Sequence, residues 1–104
     1  MRPRTFTKTG TGTTAWIPLD HRQDPFNVGL GCVILSGTAT YNVEHTFDDI
    51  QNPAVTPTAF VNSGINAMTT NKDGNYAFPV RAIRLNVTAG TSPVVAMTVL
   101  QGVR

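Results

Sequence analysis

The densest group of residues able to do chemistry is Glu44, His45, Asp48 and Asp49, with Asp20 and His21 elsewhere in the chain. Imidazole and carboxylate together suit zinc or manganese, so His45, Asp48 and Asp49 form the candidate metal set. Alternation argues against it. His45 shares parity with Tyr41, Val43 and Phe47, which turns it to a core or its rim, while Glu44 faces outward. The two aspartates stand where a strand gives way to a loop, an ordinary place for Asp. No metal and no cofactor is expected. Ser36, Ser63 and Ser92 can be combined on paper with either histidine, but each lies beside Gly or Pro in a turn rather than in a nucleophile elbow. Asp48 and Asp49 are adjacent, and neighbours on a strand point to opposite faces, so they make no carboxylate dyad. Residues 71–75 (NKDGN) resemble a calcium loop only in composition, because no Glu follows at the twelfth position. They read better as a tight turn. No enzymatic activity is expected.

The elements that must position these groups are strands. Val28, Leu30, Cys32 and Ile34 alternate along one run, Ala39, Tyr41, Val43, His45 and Phe47 along the next, and Ile83, Leu85 and Val87 along a third. Period-two alternation marks strands with one buried face. Phe26–Leu35 and Thr38–Phe47 read as a hairpin turning at Ser36–Gly37, and Tyr76–Val87 and Val94–Gln101 as a second, linked through residues 89–93. A first strand covers Arg4–Thr9. Ala15–Leu19 reads as another, confined by Pro18 to an edge or a bulge. Phe60–Val61 and residues 65–68 are ambiguous. The expected fold is all-β, an antiparallel β-sandwich, jelly-roll-like, of six to eight strands. Residues 1–14 would be an extended arm carrying the first strand, and residues 15–104 the sandwich domain.

Composition agrees with this. The chain of 104 residues is one domain. It has sixteen Thr, nine Gly and seven Pro, which favour strand surfaces and turns. Only 13% of residues are charged, about half the usual fraction, which suits a surface partly covered by other subunits and equally an ordinary secreted β-sandwich. A net charge of +2 implies attraction neither to nucleic acid nor to membrane. Arg81 and Arg84 project from opposite faces, so no basic face with interleaved aromatics is formed. Trp16, Tyr41 and Tyr76 are the candidate sugar platform, though nothing in their spacing clusters them. The single Cys32 has core parity and reads as a buried thiol. The first twelve residues hold no apolar segment, so no signal peptide is expected, and folding in a reducing cytosol follows.

With those residues laid out, the chain resembles a family of small structural proteins of tailed bacteriophages. The likeness rests on WIPLD at 16–20, FNVGL at 26–30, YNVEHTFDD at 41–49, DGNYAFPVRAIRLNV at 73–87 and the closing VVAMTVLQ. It spans residues 4–101 and supplies no catalytic residue. It implies a virion component assembled in the host cytoplasm: a capsid decoration, or cement, protein on the head exterior that bridges copies of the major capsid protein as a dimer or trimer. A neck, tail or baseplate part is the alternative, and a host-surface carbohydrate-binding module the second alternative. The surfaces the core does not need are then the partner-binding candidates: Arg2, Arg4, Thr5, Thr7 and Lys8 on the arm, Asp20, His21 and Arg22 in one loop, and Asp48 and Asp49 in another. The arm would lie along a neighbour's sheet edge.

Overall fold

The computed structural model describes residues 4–20 and 26–101. The described residues form seven strands: β1 (Arg4–Thr9), β2 (Gly12–Thr13), β3 (Ile17–Pro18), β4 (Val28–Thr46), β5 (Phe60–Val61), β6 (Lys72–Tyr76) and β7 (Ala82–Gln101). All pairings are antiparallel, and no described residue is helical.

Two of these strands organise the rest. β4 has 19 residues and β7 has 20, against a usual five or six. They pair along their whole length, from Val28 opposite Gln101 to Thr46 opposite Ala82. The two hairpins expected at Ser36–Gly37 and at residues 89–93 are therefore not formed. Each expected turn is a bend within one long strand, and the halves of each strand pair with the other strand rather than with themselves.

The bends have a steric cause. The β4–β7 register slips between Ile34 and Ser36, between Ser36 and Thr38, and between Thr40 and Tyr41. Such slips kink a strand and increase its twist. Gly37 (φ 71°) and Gly90 (φ 146°) occupy conformations that L side chains rarely adopt, and Ser92 (φ 47°) follows in the left-handed region. A Cβ on Gly37 would lie 2.2 Å from the Ser92 carbonyl oxygen, and one on Gly90 2.1 Å from that of Thr38. The two backbones pass too closely there for any side chain.

Folding both strands over creates two half-sheets. One has the order β6, the first half of β4, the second half of β7, β1. The other runs β5, the second half of β4, the first half of β7, then β2 and β3. Their inner faces supply one core: Val28, Leu30 and Cys32 against Tyr41 and Val43, with Ile83, Leu85 and Val87 facing Val95, Met97 and Val99. Fully burying each such side chain stabilises the fold by about 1.5–3 kcal/mol. Pro18 sits on an edge, as expected, where its missing N–H costs no ladder bond.

Residues 72–75 of the run 71–75 belong to β6 rather than to a turn. Leu30 pairs with Gly74, which has no positive φ. A Cβ there would meet Ile65 Cδ1 at 2.8 Å, so this glycine makes room for a core side chain. Ile65, fully buried, comes from the segment after β5, which bonds along β4: Val43 N–H donates to the Ile65 carbonyl at 3.1 Å and Tyr41 N–H to that of Met68 at 3.0 Å. β1 lies along β7 of its own chain, from Arg4 opposite Val99 to Thr9 opposite Val94.

Candidate interaction surfaces

At the end of the sandwich away from the bends, the inner faces of the half-sheets run out into a group of rings. β4 brings His45 and then Phe47, β5 brings Phe60 opposite His45, and β6 brings Tyr76 with Phe78 two residues on. His45 lies at the centre, with Tyr76 at 5.0 Å, Phe47 at 5.5 Å, Phe78 at 5.7 Å and Phe60 stacked at 5.9 Å between ring centroids. Phe47 is also 5.7 Å from Phe60 and 6.4 Å from Phe78. His45 and Tyr76 are buried, whereas Phe47, Phe60 and Phe78 are each about half exposed (50%, 48% and 49%). Phe47 has the inward parity assigned to it, but the strand ends at Thr46, so its ring faces solvent at the rim.

The inner pair is polar and neutral. His45 Nδ1 lies 2.8 Å from the Tyr76 hydroxyl, with the tautomer deciding which group donates. Burial lowers the His45 pKa and raises that of Tyr76 to about 12. Asn62, Ser63 and Asn75 stand beside the rings around a shallow pocket of about 180 Å³.

A second feature is a cleft of about 470 Å³ between residues 4–8 and residues 13–18, where the edges of the two half-sheets separate. Phe6, Trp16 and Ile17 give it apolar walls, and Arg4 and Lys8 give it charge. Next to it, the Arg84 guanidinium lies 4.3 Å over the Trp16 ring. Arg84 Nε donates to Glu44 Oε1 at 2.7 Å, and Asn86 Nδ2 donates to Glu44 Oε2 at 3.0 Å. Glu44 does point away from the core, yet it is buried, because these neighbours cover it on the outer face.

The sequence-derived candidates are distributed as follows. Arg4, Thr5, Thr7 and Lys8 line one side of the cleft. Arg2, His21 and Arg22 lie outside the described residues. Asp20 is exposed, and its main chain is held by Gln101, whose Nε2 donates to the Asp20 carbonyl at 2.9 Å. Asp48 accepts from Thr58 N–H at 2.7 Å. Asp49 accepts from Gln51 N–H at 3.0 Å and pairs with Arg81 at 3.4 Å. Asp48 thus serves its own loop, Asp49 its loop and Arg81, and among the described residues no three potential ligands converge as a metal would require. Tyr41 and Tyr76 are fully buried, so they make no sugar platform with Trp16. Phe60 and Phe78 escaped the sequence reading. A usable signal exists for Phe78, which shares parity with Tyr76, while Phe60 lies in a run with no alternation to phase it.

No protein-family model and no curated protein matches this sequence. A solved chain from Bacillus endospore appendages, described as forming a novel family of disulfide-linked pili, has a similar fold. It matches with a TM-score of 0.52 and 12% identity, over 99% of this chain and 87% of that one. At that identity the likeness is one of fold.

Proposed function

We propose that this chain is a structural subunit of a multi-copy protein assembly, docking through the ring patch at the open end of its sandwich. The observation that carries this reading is the contiguous exposure of Phe47, Phe60 and Phe78 around a rigid His45–Tyr76 pair. Apolar surface gathered in one place, rimmed by the amides of Asn62 and Asn75, is the usual form of a protein-contact site. The fold shared with a spore-appendage pilus chain supports a structural role rather than a catalytic one. The resemblance of the motifs over residues 4–101 to tailed-phage structural proteins is what favours a virion as that assembly. There the subunit would sit on the head exterior, contacting the major capsid protein as a dimer or trimer. Many weak contacts per particle would then reinforce the shell, because whatever binds the lattice but not its separated subunits stabilises the lattice.

The test is co-sedimentation of the protein with undecorated heads, alongside a Phe60→Ser/Phe78→Ser variant. Wild-type binding with loss of at least tenfold in the variant supports the reading. Binding to tails alone moves the subunit to the neck or tail. The pilus likeness favours a second outcome, self-assembly into fibres, visible by electron microscopy of the protein alone. Cys32, the one cysteine of this sequence, is buried with its thiol pushed up to about 12, so a fibre of this domain would be held by noncovalent contacts.

A further inference from the structure

The phase of the β1–β7 ladder is fixed by one bond beyond its end: Gly10 N–H donates to the Pro93 carbonyl at 2.8 Å. In an antiparallel pair, hydrogen-bonded and non-hydrogen-bonded positions alternate. Stepping back two residues at a time makes Lys8–Val95, Phe6–Met97 and Arg4–Val99 the bonded pairs. Thr5, Thr7 and Thr9 then turn their N–H and C=O groups away from β7, toward the free edge of the strand. The 3.1 Å separation of the Thr5 and Thr98 hydroxyls is the close approach expected of a non-hydrogen-bonded pair. β1 keeps a one-to-one register with no bulge, and among the described residues only β7 pairs with it.

This edge borders the cleft, whose charged side chains among the described residues, Arg4 and Lys8, are both cationic; no described acidic residue lines it. Of the usual protections of an exposed edge β1 carries charge alone, in Arg4 and the half-buried Lys8; it has no bulge and no Pro, and no described strand covers it. Those cations also select the occupant. A second copy aligned β1 to β1 would bring Arg4 and Lys8 against their like. An acidic strand would be drawn in.

We propose that the cleft beside β1 binds an extended, acidic segment of another protein chain by strand addition. The segment's backbone would meet the outward groups of Thr5, Thr7 and Thr9. Its apolar side chains would pack on Phe6 and Trp16, and its carboxylates would pair with Arg4 and Lys8. This site is separate from the ring patch, so each can fail alone.

The probe is the acetylated heptapeptide Thr-Asp-Thr-Val-Thr-Asp-Thr, whose two Asp and central Val share one face with the spacing of Arg4, Phe6 and Lys8, with a counterpart carrying Lys for Asp. Titrated into the full chain, the acidic peptide should bind at least tenfold more tightly than the basic one and weaken with salt. Amide exchange should slow at Thr5, Thr7 and Thr9 while Phe6 and Lys8 stay unchanged. Thr7→Pro removes an outward N–H that the ladder does not use, so it should keep the melting temperature and lose binding. Lys8→Glu should erase or invert the charge preference. No binding up to about 1 mM, equal binding of both peptides, protection at the ring patch instead, or pairing of two copies through β1 would each overturn the proposal. Unfolding by Thr7→Pro would do so too, because the ladder phase would then be wrong.

Discussion

His45 stands at the boundary between a dry core and a wet ring patch, and its titration should be visible in the stability of the whole chain. Burial lowers its pKa from the ordinary value of 6.5. The unfolded chain therefore binds a proton more readily than the folded one, and stability rises with pH across that interval. The contribution is fully present above the unfolded pKa and is lost as pH falls through it toward the depressed folded value. Melting temperature should thus drop as pH falls below the ordinary histidine value of 6.5, and His45→Gln should flatten that slope. A wild-type profile parallel to that of the variant would remove His45 as the cause. The exposed phenylalanines beside it belong to a different class: Phe60 and Phe78 can change without opening the interior, which is why they serve as docking probes and His45 does not.

At the scale of elements, the glycines at the bends separate a strand that turns back from a strand that folds over. Gly37 and Gly90 combine a disfavoured φ with a backbone oxygen 2.2 Å and 2.1 Å from where a Cβ would stand. Alanine at either site should cost roughly 2–4 kcal/mol, backbone strain and steric displacement together. That corresponds to a fall in melting temperature of about 10–25 °C for a domain of this size. Gly31 lies in the same strand with open space around it and no positive φ, so Gly31→Ala should be nearly neutral. Equal melting of all three variants would show that the bends tolerate a side chain.

These same positions mark how far the sequence can be read. Alternation gave the faces of Val28 to Cys32, Tyr41 to His45 and Ile83 to Val87 correctly, because parity is a local property of a strand. Whether Ser36–Gly37 ends a strand or bends it depends on what lies opposite, and Ser92, whose carbonyl crowds Gly37, is more than fifty residues away. Gly74 misled for a related reason: a glycine needed to admit Ile65 looks, in sequence, like one needed for a turn. The ring patch was half legible, since His45, Phe47 and Tyr76 carry the right parity but only the folded chain sets Phe60 opposite His45.

For the whole molecule, the question is how a sandwich with short outer strands keeps its two long ones covered. β7 is central only because β1 covers its second half and β2 with β3 cover its first. β1 is thus a lid on this chain's own sheet as well as an edge offered to others. Its ladder bonds contribute about 0.5–1.5 kcal/mol each against a total stability of about 5–15 kcal/mol, and Phe6 packs on the core beneath. A chain lacking residues 1–9 should melt at least about 10 °C lower. It should also associate, since Val95, Met97 and Val99 would lie along a bare edge that any other β7 could pair with. Thermal melting and light scattering of the truncated protein test both expectations. If it stays monomeric and melts with the full chain, β1 is dispensable to the fold, and its work lies entirely in contacts with other proteins.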